Sequence, residues 1–128
     1  MGSEFIRRGI NLPKYIWSAQ LNLDAQEIVY NIHKEYIDNG AQYITTNTFR
    51  TTVRSYLKTG INEIDAKSVA ELSLKKAVSI AKNAAKNKAY ILGSIAPLED
   101  CYKPELFPGI EIAKKEFKQI SNWLNDSN

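Results

Sequence analysis

A row of polar side chains follows a short apolar segment between residues 43 and 51, where the sequence reads YITTNTFRT. The segment begins like a buried strand and ends in side chains that carry hydroxyl groups, an amide, an aromatic ring and a guanidinium group. Together these groups offer donors, acceptors and an apolar wall, which is what a small polar ligand needs. Thr46, Asn47, Thr48 and Phe49 are therefore the first candidate binding residues.

Three helices are predicted around this row. Glu27 follows Asp24 at the spacing of a capping box, so one helix is predicted to begin near Asp24, with Asp24 as its N-cap, and to end at Asn39 and Gly40. A long helix is predicted over residues 65–87, where small apolar residues share one stripe, and a third over residues 110–125.

Two short apolar segments, residues 43–46 and 89–93, predict strands. Each is almost continuously apolar, which is typical of a parallel strand covered on both faces. Alternation of these strands with helices indicates βα units and an α/β class. Two parallel strands leave open edges, however, and the loop over residues 96–109 carries three of the four prolines.

The composition is that of an ordinary globular domain, with 128 residues, 44% hydrophobic residues and a formal net charge of +3. The lysines are spread over helices and predict a solvated surface, so no nucleic-acid partner is expected. One cysteine excludes a disulfide within the chain. No apolar run is long enough for a bilayer, and no signal-peptide pattern is visible, so a cytoplasmic location without membrane contact is expected.

The chain resembles the homocysteine S-methyltransferase family at several motifs in the right order. That family shows a Trp-Ser-Ala, a helix that ends in an Ala-Gly-Ala-like turn, and an Ile-Thr-Thr-Asn-Thr-Phe; here these are residues 17–19, 39–41 and 44–49. Residues 92–106 resemble the next strand and loop of the family, in which Gly-Ser and a nearby proline recur. Gly2 and Ser3 match the end of its first motif.

The resemblance implies a (β/α)₈ barrel with its site on the loops at the carboxyl ends of the strands. It places substrate contacts at Thr46, Asn47, Thr48, Phe49 and Ser94, with Trp17, Gly2 and Ser3 as further candidates. The chain is then expected to be a single incomplete domain over residues 1–128, the N-terminal part of the barrel, with about two βα units and flanking helices.

The resemblance also implies a metal that this sequence is not equipped to hold. Family members bind Zn²⁺ through later cysteines, in Gly-x-Asn-Cys and Gly-Gly-Cys-Cys segments, and the metal holds homocysteine as a thiolate. Neither segment occurs here, and Cys101 and His33 are the only cysteine and histidine. No metal ligand and no catalytic residue is therefore predicted, and the chain alone is expected to be inactive.

Several residues allow a second interpretation. Asn47 either clamps a substrate or holds the backbone of its loop. Phe49 and Trp17 either wall a pocket or pack in the core. Gly2 and Ser3 either offer backbone donors or lie in a mobile chain end. His33 is expected to be a partly exposed helix residue.

Two kinds of function follow. In the complete family enzyme, a methyl group passes from a sulfonium or similar donor to homocysteine and gives methionine. This chain is predicted to be a truncated form of that enzyme, with homocysteine and a methyl donor as implied partners. The alternative is a non-catalytic half-barrel that self-associates, pairs with a complementing fragment or binds a small amino acid.

Overall fold

The computed structural model describes residues 1–127 and shows an α/β fold. In chain order the elements are helix α1 (Gly2–Arg7), a 3₁₀ helix (Trp17–Gln20), α2 (Leu21–Asp24), α3 (Gln26–Asp38), β1 (Tyr43–Thr45), α4 (Val53–Leu57), α5 (Glu63–Ala85), β2 (Tyr90–Leu92), a second 3₁₀ helix (Pro104–Leu106) and α6 (Ile110–Asn125).

The two strands pair in parallel, with Tyr43 beside Tyr90 and Thr45 beside Leu92. This confirms the predicted α/β class with parallel strands. Because parallel neighbours need a crossover, α4 and α5 occupy the chain between them, and α5 packs against both α3 and α4. Both strands therefore end on the same side, and the polar row after β1 lies beside the segment that follows β2.

Helix α5 is the central packing element. Its stripe of small residues, including Ala66, Ala70, Ala77 and Ala81, is fully buried, so neighbouring elements approach its backbone closely. Asn62 begins the helix, since its side chain accepts a hydrogen bond from the backbone N–H of Asp65 at 3.0 Å. The helix thus starts slightly earlier than the predicted residue 65.

Helix α3 begins near Asp24 as predicted, but Asp24 does not cap it. Asp24 is the last residue of α2, and Ala25 follows with φ −144°, so α3 begins at Gln26 without a side-chain cap. The Asp24 carboxylate instead accepts a hydrogen bond from Gln20. Asp24 therefore belongs to the short helix α2, although the capping-box spacing assigned it to the start of α3.

Helices cover only one face of the two strands within residues 1–127. Ile44 packs with Ala81 and Ala85 of α5, and Ile91 packs against this cluster. The opposite face has no covering element within residues 1–127, and Tyr43, Tyr90 and Leu92 are exposed there. All described helices that contact the sheet lie on one side of it.

None of the helices within residues 1–127 is both long enough and apolar enough to cross a membrane.

Candidate functional site

A cluster of hydroxyl groups joins the carboxyl ends of the two strands. Thr46 and Thr48 Oγ1 atoms lie 2.8 Å apart, and the backbone N–H of Ser94 donates to both at 3.2 Å. Thr48 Oγ1 donates in turn to the Ser94 carbonyl at 2.6 Å. Both threonines are buried, whereas Ser94 is half-buried. The parallel register brings these three predicted site residues together.

Asn47 belongs to a second, fully buried polar network. Its Oδ1 accepts from Ser18 Oγ at 2.7 Å, and its Nδ2 donates to the Ser18 carbonyl and to Asn22 Oδ1, each at 2.8 Å. Asn22 Nδ2 donates to the Asn47 carbonyl at 2.9 Å and lies 3.1 Å from Ser73 Oγ. Both N–H groups of the Asn47 amide are thus used within the protein, the geometry of a residue that holds its loop.

The remaining predicted residues fall around these two networks. Trp17 is 36% exposed and lies directly before Ser18, with its backbone in the left-handed region at φ 47°. A Cβ at Gly2 would come within 2.4 Å of the indole Nε1, so only glycine allows this approach. Ser3 is exposed on α1, and none of the hydrogen bonds within residues 1–127 links its side chain to the turn. Gly2 and Ser3 therefore begin helix α1.

Phe49 and Arg50 form the half-buried rim after the turn. The Arg50 guanidinium lies 5.2 Å from the centre of the Phe49 ring, and its Nη1 is 3.3 Å from the Glu99 carbonyl oxygen. Phe49 is therefore neither a core residue nor a freely exposed one.

A cluster of charges fastens the loop after β2. Arg54 of α4 pairs with Glu99 at 3.1 Å and with Glu116 of α6, and Lys58 also pairs with Glu99. Burial alone would raise the pKa of Glu99, but the hydrogen bonds and charges of Lys58 and Arg54 outweigh it and hold that pKa below its usual value. The cluster fixes residues 93–109 against two helices.

A groove of about 760 Å³ opens beside this loop, lined mainly by residues 95–107 and Phe117 of α6. Its lining is mostly apolar and includes none of the eight predicted site residues. The hydroxyl cluster and the groove are thus neighbouring but separate features.

The sequence pattern did not indicate that Ser18, Asn22 and Ser73 belong to the network around Asn47. A usable signal exists for Ser73, which lies in the apolar stripe of α5: a buried hydroxyl there needs a polar partner. His33 was expected to be partly exposed, but only 1% of it is exposed, and its Nε2 has no hydrogen-bond partner among the described residues.

No group of three or more His, Cys, Asp or Glu side chains lies close enough within residues 1–127 to hold a metal ion. Cys101 is exposed on its loop, and His33 is buried in helix packing. The described side chains do not fit a zinc centre, and no chemical step through a metal is derived for them.

Comparison with known proteins gives consistent matches. A protein-family model described as homocysteine S-methyltransferase matches residues 1–126. Homocysteine S-methyltransferase YbgG of Bacillus subtilis is 32% identical over 84 residues, which is 66% of this chain and 25% of that protein. Homocysteine S-methyltransferase of Escherichia coli is 26% identical over 102 residues, or 76% of this chain and 33% of that protein. In these alignments the chain spans a quarter to a third of the relatives' length.

The fold is similar to that of the E. coli homocysteine methyltransferase MmuM, solved in oxidized and metallated forms. The TM-scores are 0.82 and 0.83 at 22% sequence identity. The superposition covers 100% of this chain and 48% of the MmuM chain.

Proposed function

The chain belongs to the homocysteine S-methyltransferase family, and we propose that it is the N-terminal part of a (β/α)₈ barrel that binds the amino-acid substrate. In this proposal residues 1–128 are a single incomplete domain. The cluster formed by the Thr46 and Thr48 hydroxyls and the Ser94 backbone carries the proposal, because it lies at the carboxyl ends of parallel strands, where this class of fold keeps its ligand sites.

The residues divide by role in the proposed site. Asn47 holds the turn through its contacts with Ser18 and Asn22, so that Thr46 and Thr48 keep a fixed position. Ser94, which is half-buried, offers its hydroxyl to a carboxylate or amine of homocysteine or methionine. Phe49 and the exposed indole of Trp17 supply apolar walls, and Gly2 lets that indole approach α1.

We propose that the chain alone binds its ligand without turnover. Methyl transfer from a sulfonium or similar donor to homocysteine needs a thiolate, which zinc supplies in the complete family enzyme. The described side chains do not form such a metal site. Incubation with homocysteine, S-methylmethionine and Zn²⁺ is therefore expected to give no methionine; methionine formation with stoichiometric bound zinc would overturn this part of the proposal.

The binding site itself is tested by calorimetric titration with L-methionine and L-homocysteine. Saturable binding is expected, and Ser94→Ala should weaken it by about tenfold, the effect of one hydrogen bond of ~1.4 kcal/mol. Ser79→Ala on the exposed face of α5 is the matched control and should leave the affinity unchanged. Absence of saturable binding, or equal losses in both variants, would contradict a ligand site at Ser94.

A further inference from the structure

Arg50 differs from the other arginines of the chain in its charge partners. Each of the other three arginines forms an ion pair with a carboxylate, whereas Arg50 forms none among the described residues. Arg50 is nevertheless half-buried, and its one polar contact joins Nη1 to the Glu99 carbonyl oxygen at 3.3 Å. A guanidinium group has five N–H donors, so most of those of Arg50 remain for another acceptor.

The acidic side chains of the adjacent loop have other partners. The Glu99 carboxylate pairs with Arg54 and Lys58, so only the backbone carbonyl of Glu99 contacts Arg50. The Asp100 carboxylate accepts a hydrogen bond from the backbone N–H two residues later at 3.0 Å. The loop therefore holds the Arg50 guanidinium in place without neutralising its charge.

The Arg50 guanidinium lies between the two segments that form the proposed ligand site. Arg50 is two residues beyond Thr48 in the turn after β1, and its contact Glu99 is five residues beyond Ser94 in the loop after β2. The hydroxyl cluster joins these same two segments. A free guanidinium is thus placed at the carboxyl end of the sheet, together with the cluster.

Two contacts restrict the direction of the Arg50 side chain. The guanidinium carbon lies 5.2 Å from the centre of the Phe49 ring, within the range of a cation–π contact. The Glu99 carbonyl fixes one of its nitrogens. A side chain held in this way loses less conformational freedom when it binds a ligand. Its planar group is suited to a carboxylate, which it can bind through two parallel N–H···O hydrogen bonds.

We propose that Arg50 binds the α-carboxylate of the amino-acid ligand through paired N–H groups and makes the site selective for amino acids over the corresponding amines. This inference rests on the proposed function, because it assigns a partner to the carboxylate of the ligand bound beside Ser94. With the carboxylate at Arg50, the Ser94 hydroxyl is left for the amine.

Calorimetric titration with L-methionine and L-methioninol tests the assignment, because methioninol has a hydroxymethyl group in place of the carboxylate. The unmodified chain is expected to bind methionine about tenfold to a hundredfold more tightly than methioninol. Arg50→Met should remove this preference and leave the affinity for methioninol unchanged. Arg7→Met is the matched control, since the Arg7 side chain is 72% exposed on α1, and it should keep the preference.

Arg50→Lys provides a second test, and urea unfolding shows whether each variant is folded. This variant keeps the charge but lacks the paired N–H groups, so its preference for methionine should fall severalfold. A preference that both Arg50 variants retain, or equal losses of affinity for both ligands in Arg50→Met, would overturn the assignment. Equal affinity of the unmodified chain for both ligands would refute the role of Arg50 alone, whereas absence of saturable binding of either would refute the proposed function as well.

Discussion

At the scale of single residues, the buried polar side chains determine where the turn after β1 lies. Asn22 and Ser73 are fully buried, and each donates to a group that belongs to another segment. Ser73 Oγ lies 3.0 Å from the Ala19 carbonyl oxygen, so α5, the 3₁₀ helix and the turn share one network. Because an unsatisfied buried polar group is costly, these segments can occupy only positions in which the network is complete.

His33 gives the protein an acid-sensitive stability. Burial, with a smaller contribution from the chain's amino terminus, lowers its pKa to about 4 from the ordinary 6.5. The unfolded chain therefore binds a proton below pH 6.5, whereas the folded chain does so only near pH 4. The free energy of unfolding is expected to fall by about 3 kcal/mol between these pH values.

Urea unfolding at several pH values from 7 to 4 measures this change, with His33→Leu as the comparison. The variant should lack the loss between pH 6.5 and 4, so the difference between the two curves isolates the imidazole from the carboxylates. Parallel curves would refute the assignment. The imidazole also titrates alone, since His33 is the single histidine, and its proton resonances give the pKa directly.

At the scale of elements, Arg54 is expected to hold the loop after β2 in place. Arg54→Met removes the guanidinium between Glu99 and Glu116 and leaves two partly buried carboxylates near each other. Stability should fall by about 1–2 kcal/mol, and amide exchange over residues 93–109 should accelerate. Arg7→Met is the control, because the Arg7 side chain is 72% exposed and an ion pair in water contributes little to stability. Unchanged exchange in the loop would show that Arg54 does not fasten it.

The elements also show what the sequence could predict. The long helix, the last helix and both strands have strong periodic or apolar patterns, and the structure has them within a few residues of the predicted bounds. The 3₁₀ helix Trp17–Gln20, α2 and α4 were not predicted, because helices of four or five residues have no repeating stripe and are stabilised by tertiary contacts. Asp24 shows the same limit, since a local capping pattern did not reveal the short helix that precedes it.

The same contrast between local sequence patterns and tertiary contacts separates the site residues that could be predicted from those that could not. Thr46, Thr48 and Ser94 could be grouped from sequence because parallel strands end at one edge. The contacts of Asn47 could not be predicted in this way, because its network joins distant parts of the chain. Asn47 lies 25 residues from Asn22 along the chain, and Asn22 lies 51 residues from Ser73. An apolar strand pattern by itself does not reveal which elements cover each face of a strand.

At the scale of the whole molecule, the helices that contact the sheet pack on one side of it, and Tyr43, Tyr90 and Leu92 are exposed on the other side within residues 1–127. In the (β/α)₈ barrel proposed above, the helices lie outside the strands, and side chains from all the strands fill the interior. The side that carries Tyr43, Tyr90 and Leu92 is therefore the one that faces the interior of the proposed barrel, and the side that carries Ile44 and Ile91 is the one that packs against the outer helices.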